Sequence, residues 1–333
     1  MIDAAARLAE LRSLRTSRPA ARTASAVRWV VRNGLAVWLI VAVLVVVMAV
    51  HRGGSFLSEQ NVSNVLSQSV VLALVAIGQT FVVVSGGIDL SVGSLASLTT
   101  VLAAGWIAGR SGYVVPVLLL LMAIGAGVGV AHGYFVTRGR VEPFIVTLAT
   151  YFILQGVGFA YTRVPVGSMP IGVSDFFYSH AGPIPWIFVI VVAVGVLLAG
   201  VLARTRFGRH VYAVGGNAAI ARAVGINVTL VTTACYVVSG VLAAVAGFLL
   251  AARAGLGAPS AGSGLELSAI ATVVLGGASL AGGRGRLLGT AGGVALLALI
   301  QNSFTQLSIS SFYQSLVLGA VIVAAVAIFV RRD

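Results

Sequence analysis

Few side chains in this 333-residue chain could do chemistry, and they are not spaced to do it together. The four histidines, His51, His132, His180 and His210, are scattered, and none has a carboxylate or a second histidine at metal-ligand spacing. Loop or interfacial positions are the expected reading for each of them. Cys235, the single cysteine, lies in an apolar stretch, which excludes an intrachain disulfide and a cysteine metal cluster. No Ser/His/Asp set or pair of carboxylates marks an enzyme, and no metal or cofactor is expected. All 21 basic residues are arginine, so a phosphate-binding Gly-x-x-x-x-Gly-Lys loop is impossible. Asp89, Glu142 and Glu266 stand at the edges of apolar runs. Ion-coupled transport uses carboxylates buried in the membrane, so their scarcity argues for a pathway powered from elsewhere.

The surrounding elements are membrane spans. Hydrophobic residues make up 59% of the chain and charged ones 9%, with a mean hydropathy of +1.06, far from the balance of a water-soluble domain. Apolar runs recur at 35–50, 65–84, 91–108, 114–136, 144–161, 186–203, 229–252, 265–280, 287–307 and 312–330, which predicts about ten transmembrane helices. Residues 1–32 carry seven arginines and read as a basic tail; 33–330 form the membrane domain, and 204–227 its longest connection on the tail side. With the tail inside, 17 arginines fall on the inner side and four on the outer. That asymmetry places both termini in the cytoplasm and accounts for the formal charge of +13 without a nucleic-acid partner.

Glycines recur four residues apart, at Gly105 and Gly109, at Gly125, Gly129 and Gly133, and at Gly289 and Gly293, the spacing of close helix contacts in lipid. The segment from Val83 to Gly93 aligns with that from Val273 to Gly283 at an offset of 190, pairing Gly86-Gly87 with Gly276-Gly277. Repeated halves with Gly-interrupted helices are a transporter architecture. Two readings stay open for these pairs: helix breaks lining a path, or tight turns at the membrane surface with Asp89 or Ser91 as helix N-cap.

Three motifs carry a family resemblance. Gly78-Gln79-Thr80 followed by Ser85-Gly86-Gly87-Ile88-Asp89-Leu90-Ser91-Val92-Gly93-Ser94, the run from Thr205 to Asn217, and Ser310-Ser311-Phe312-Tyr313-Gln314 together resemble the ribose/xylose-type permeases of bacterial ATP-binding-cassette (ABC) importers. The resemblance runs in order from about Asn61 to Val330. It implies an all-α, type II importer-like permease of the inner membrane, working with cytoplasmic ATPase subunits, an extracytoplasmic solute-binding protein and a second permease. The solute it implies is a monosaccharide or related small polar molecule. It further implies a short helix after the sixth span that docks on the ATPase, which assigns coupling to Arg206, Gly208, Arg209, Gly215, Gly216, Asn217 and Arg222. Relatives often carry an acidic residue after the Gly-Gly-Asn, where this chain has Ala218.

From the repeat and the polar residues within the spans, the expected path residues are Gln79, Gly86, Gly87, Asp89, Ser91, Gly276, Gly277, Gln301 and Asn302. Sugars need paired donors and acceptors and an aromatic face, which Gln301, Asn302 and Phe304 offer from one helix. Gln68, Gln79, Gln155, Gln301, Asn302 and Gln306 must each find partners away from lipid, and interhelical hydrogen bonding accounts for any one of them. Rival readings are an ABC permease for a nucleoside or other small solute, and a self-sufficient secondary transporter or facilitator.

Overall fold

A computed structural model describes residues 36–310 and six positions between 313 and 320. The basic tail 1–32 and most of the tenth expected span, 312–330, lie outside the described residues. Among the described residues, the first nine apolar runs form helices. Seven are long and apolar enough to cross a membrane: α1 (Ala36–Arg52), α2 (Glu59–Val84), α4 (Val114–Thr137), α5 (Pro143–Tyr161), α7 (Trp186–Arg204), α10 (Val228–Ala254) and α12 (Leu287–Gln306). The other two, α3 (Val92–Ile107) and α11 (Leu265–Leu275), are shorter apolar helices. Between the spans lie α6 (Ile171–Tyr178), a small hairpin of β1 (His180–Ala181) and β2 (Ile184–Pro185), α8 (Arg206–Gly216) and α9 (Ala218–Ala223).

Two expected spans are corrected. The run 265–280 is not one helix, because α11 stops at its C-cap Gly276 after 11 residues, about 16 Å at 1.5 Å per residue and half of a ~30 Å hydrocarbon layer. The run 65–84 begins six residues early, at Glu59. Polar residues hide that first turn from hydropathy, and Ser58 caps it by accepting from the Asn61 N–H at 3.3 Å.

Burial is graded from the bundle axis outward. α2 is almost wholly buried and α10 mostly so, whereas α1, α4, α5 and α7 turn large apolar side chains outward. Leu119, Phe152 and Val196 are each more than half exposed, as lipid-facing residues are. α10 packs on α4, α2 and α3. On α4, the stripe Gly125, Gly129 and Gly133 lies on the α10 backbone at Gly240, Tyr236 and Thr233, so close that a Cβ at any of the three would overlap it. Gly289 and Gly293 of α12 lie in the same way on Gly276 and Thr272. The Gly105 and Gly109 pair is different. Gly105 abuts the Tyr161 hydroxyl, while Gly109 follows the end of α3 at φ +75° and donates to the Ser168 carbonyl at 2.9 Å.

Candidate transport site

After α2, residues 85–91 turn back into the bundle before α3 begins. Gly86 takes φ +90°, and the N–H groups of Gly86 and Gly87 bond the Val83 and Val82 carbonyls at 3.0 and 2.9 Å. α11 ends with the same turn: Gly277 takes φ +87°, and the N–H groups of Gly277 and Ala278 bond Val274 and Val273 at 2.8 and 3.1 Å. The two turns thus stand 191 residues apart, not 190. Only one left-handed residue is required after a helix C-cap, so the doubled glycines are not equivalent pair by pair. Gly87 instead leaves room for the Tyr236 hydroxyl, and Gly276 for the backbone of α12 at Gly289.

The turn delivers Asp89 to the interior, where it is 1% exposed. The expectation that it stands at a span edge is corrected. Its carboxylate accepts from the Ser91 N–H (3.0 Å), the Ser91 hydroxyl (2.7 Å) and the Ser239 hydroxyl of α10 (2.9 Å). From α2, the Gln79 amide donates to the Asp89 carbonyl at 3.1 Å and accepts from its N–H at 3.2 Å. Tyr236 of α10 points its hydroxyl at the Ile88 carbonyl, 3.5 Å away, with the His132 ring edge-on to it at 5.5 Å. Both His132 ring nitrogens are buried without a hydrogen-bond partner. Ser91 stands at the N-cap of α3 without capping it, so the polar function of this turn is to hold a carboxylate inside the bundle.

The stretch 255–264 after α10 descends beside α3. Gly257 packs on Thr100 and exchanges backbone hydrogen bonds with Val166 at 2.8 and 2.9 Å. Seven residues deeper along α3, Gly262 packs on Gly93 and donates to the Ser97 hydroxyl at 2.9 Å. α11 therefore starts inside the bundle. Glu266 in its first turn is 8% exposed, another correction to the span-edge reading. One of its carboxylate oxygens accepts from the Gly264 N–H at 3.1 Å, and the other lies over Gly93 with no hydrogen-bond partner. Glu142, by contrast, is an exposed N-cap of α5.

At the opposite end of α10 from Tyr178, which donates to the Arg253 carbonyl at 2.8 Å, the connection after α7 folds into two helices. α8 was not foreseen as a helix. Thr205 caps it, Gly208, Val211 and Val214 are buried, and Phe207 stacks on Phe81 of α2 at 6.4 Å. Asn217 ends α8 and caps α9, accepting from the Ala219 and Ile220 N–H groups at 2.9 and 3.0 Å. α9 is shorter than the expected 217–224 helix, with Gly225 past its end at φ +86°. Among the expected coupling residues, Arg206, Arg209, Gly216, Asn217 and Arg222 are exposed. Gly208 and Gly215 face inward: Gly208 lies on the Leu202 carbonyl, and Gly215 on Val84 and Gly283. The Gly283 N–H bonds the Val84 carbonyl at 2.9 Å, and the Tyr212 hydroxyl donates to the Gly285 carbonyl at 2.7 Å. Burial raises the Tyr212 hydroxyl above the ordinary tyrosine range, opposed by the positive charge of Arg286.

Of the expected path residues, Gln79, Gly86, Gly87, Asp89 and Ser91 come together. Gly276 and Gly277 lie at the α11 end, against α12. Gln301 is exposed near the far end of α12, and Asn302 is tied to Asn61, with amide hydrogen bonds of 2.8 and 3.2 Å. Gln306 donates to the same Asn61 at 2.9 Å. Sequence reasoning missed Asn61, Ser239 and the depth of Glu266. A polar side chain inside an apolar run was the available signal for Ser239, whereas Asn61 lay ahead of the run 65–84.

Similarity to known proteins covers the same bundle. A family described as "Branched-chain amino acid transport system / permease component" matches residues 61–326. The chain belongs to this family. The permease is 40% identical over 298 residues to the ribose import permease protein RbsC of Escherichia coli (strain K12), covering 87% of this chain and 92% of the relative. It is 33% identical over 353 residues to the xylose transport system permease protein XylH of Haemophilus influenzae, covering 86% and 93%. It is 37% identical over 295 residues to the probable ABC transporter permease protein YphD of Escherichia coli (strain K12), covering 88% of each. No solved structure matches the permease.

Proposed function

We propose that the permease is the membrane subunit of an ABC importer for a monosaccharide of the pentose class, in a bacterial inner membrane with both termini cytoplasmic. The observation that carries this reading is the 40% identity, over 87% of this chain, with a ribose import permease. Its partners on this reading are two ATPase subunits, an extracytoplasmic sugar-binding protein and a second permease. The test is uptake of labelled ribose and xylose into proteoliposomes holding the permease with its ATPase and binding protein. Uptake that needs ATP and the binding protein is expected, and uptake by the permease alone would replace the importer with a facilitator.

α9 is the proposed docking helix. Ala219, Ile220, Ala223 and Val224 are exposed on it, an apolar surface beyond the spans that a cleft would cover. Changing Ala219 and Ala223 together to Asp would desolvate two charges on docking, at a cost of several kcal/mol. Loss of ATPase co-purification is expected, and full retention would remove α9 from this role. For the path, the buried framework of Gln79, Asp89, Ser91 and the two helix-end turns supports a rigid wall. Its hydrogen bonds within the bundle leave little capacity for a solute.

A further inference from the structure

α2 and α12 leave amide and hydroxyl side chains uncovered near one end of the bundle. We propose that this strip lines the outer half of the solute path and contacts a neutral, polyhydroxylated solute; the inference rests on the importer reading above. The exposed residues of α2 are Glu59 at its first position and, further along, Gln60, Asn64 and Gln68, the last three spaced by four and so on one helix face. Gln68 lies nine residues into α2, about 14 Å down a helix that at about 39 Å exceeds a ~30 Å hydrocarbon layer. On α12 the exposed polar residues are Gln301 and Thr305, again four apart.

The two rows belong to one surface. Asn61 clasps Asn302 and Gln306, joining the helices at this end. Asn64 and Gln68 follow Asn61 by three and seven positions and so share its side of α2, and Gln301 and Thr305 immediately precede Asn302 and Gln306. Beside the strip, Asn61, Val62, Val65, Leu66, Ser69 and Ala73 of α2 line a mostly apolar cavity of about 600 Å³ shared with α1, α7 and α12, and Gln60, Asn64 and Gln68 lie outside that lining. The exposed amides therefore do not open into that cavity. Lipid cannot be their environment without stranding several donors and acceptors in hydrocarbon, each at a cost of several kcal/mol.

The chemistry of the strip selects its occupant. α2 carries no ionisable residue after Glu59, and α12 carries none within Leu287–Gln306. An ion would find no countercharge there. Amides and hydroxyls both donate and accept, and so do the hydroxyls of a sugar, so one row of neutral groups can exchange partners with a solute sliding past. Asn302 and Gln306, held by Asn61, set the helix spacing rather than touch the solute.

The experiment uses the complete transporter with Cys235→Ser and single Asn64→Cys, Gln68→Cys or Thr305→Cys changes, in proteoliposomes. A small, impermeant methanethiosulfonate is added from the binding-protein side, with Leu119→Cys as the lipid-facing control. Labelling of the strip at least about tenfold faster than at Leu119 is expected, because only a hydrated thiol forms the reactive thiolate. Modification at position 64 or 68 should stop ribose uptake and leave basal ATPase activity. Labelling as slow as at Leu119 would overturn the proposal, as would oxidative cross-linking of position 68 between permease copies without labelling, which would make the strip a subunit seam. Labelling needs no solute, so its failure is distinguishable from failure of the importer reading. Should a cysteine variant not assemble, Gln68→Leu against Gln68→Asn decides: the strip predicts that only Leu lowers uptake at equal abundance, and equal uptake overturns it.

Discussion

Gly215 and Gly216 are adjacent in sequence and opposite in what they touch, which makes their alanine variants a sharp comparison. A Cβ at Gly215 would collide with the Val84 carbonyl and come within 2.6 Å of the Gly283 nitrogen, whereas one at Gly216 meets nothing within 4 Å. Neither takes a positive φ, so alanine is conformationally allowed at both and the difference is packing alone. At Gly215 the new methyl must part three backbones. Overpacking costs about 1–3 kcal/mol and loss of the Gly283 to Val84 hydrogen bond about 1 kcal/mol, so Gly215→Ala should cost about 2–4 kcal/mol. Gly216→Ala adds a better helix former at the end of α8 and should be neutral or favourable by up to about 1 kcal/mol. The assay is the thermal unfolding midpoint of the purified permease, alongside uptake by the full complex. A lower midpoint for Gly215→Ala only is expected. Equal midpoints would refute the reading that α8, the α2 end and the α11–α12 connection meet at this glycine.

Asp89→Ala should lower membrane abundance far more than Ser239→Ala, as it strands three buried donors at about 1–3 kcal/mol each against one lost hydrogen bond of about 1 kcal/mol; similar abundance in immunoblots would contradict this. Ser179→Cys and Asn217→Cys, each with Cys235→Ser, should differ in labelling by an impermeant maleimide on intact cells, since they stand at opposite ends of α10, and equal labelling would sink the orientation. Because the Tyr212 pKa is raised on folding, its contribution is full below the ordinary tyrosine pKa of about 10 and lost as pH rises beyond it. Tyr212→Phe should therefore flatten the alkaline fall of the unfolding midpoint, and an unchanged slope would rule that out.

Hydropathy made most spans legible because lipid demands apolar side chains over a fixed length. It failed at α11, since the apolar run continues through Gly276 and Gly277 and only φ at Gly277 stops the helix. It also failed at the start of α2, where Glu59, Gln60, Asn61 and Asn64 read as loop but form the first turns of the helix. The Asp89 site was half visible. Gln79, Asp89 and Ser91 sit close in sequence, but Ser239 arrives from 150 residues away, and a lone serine in an apolar helix carries no mark of its partner. The helix of α8 was missed because apolar runs locate spans and not amphipathic helices, and here Val211 and Val214 turn inward while Arg206, Arg209 and His210 turn outward.

The descent of residues 255–264 along α3 constrains how the protein is made. A chain released into lipid one helix at a time hides its backbone within each helix, but this stretch cannot. Its N–H groups find the Val166 carbonyl and the Ser97 hydroxyl, and neither acceptor is in place until α3 and the segment after α5 have been inserted. Residues 255–264 are therefore expected to settle in the bilayer only after the earlier helices have gathered, and until then the link from α10 to α12 is unfinished.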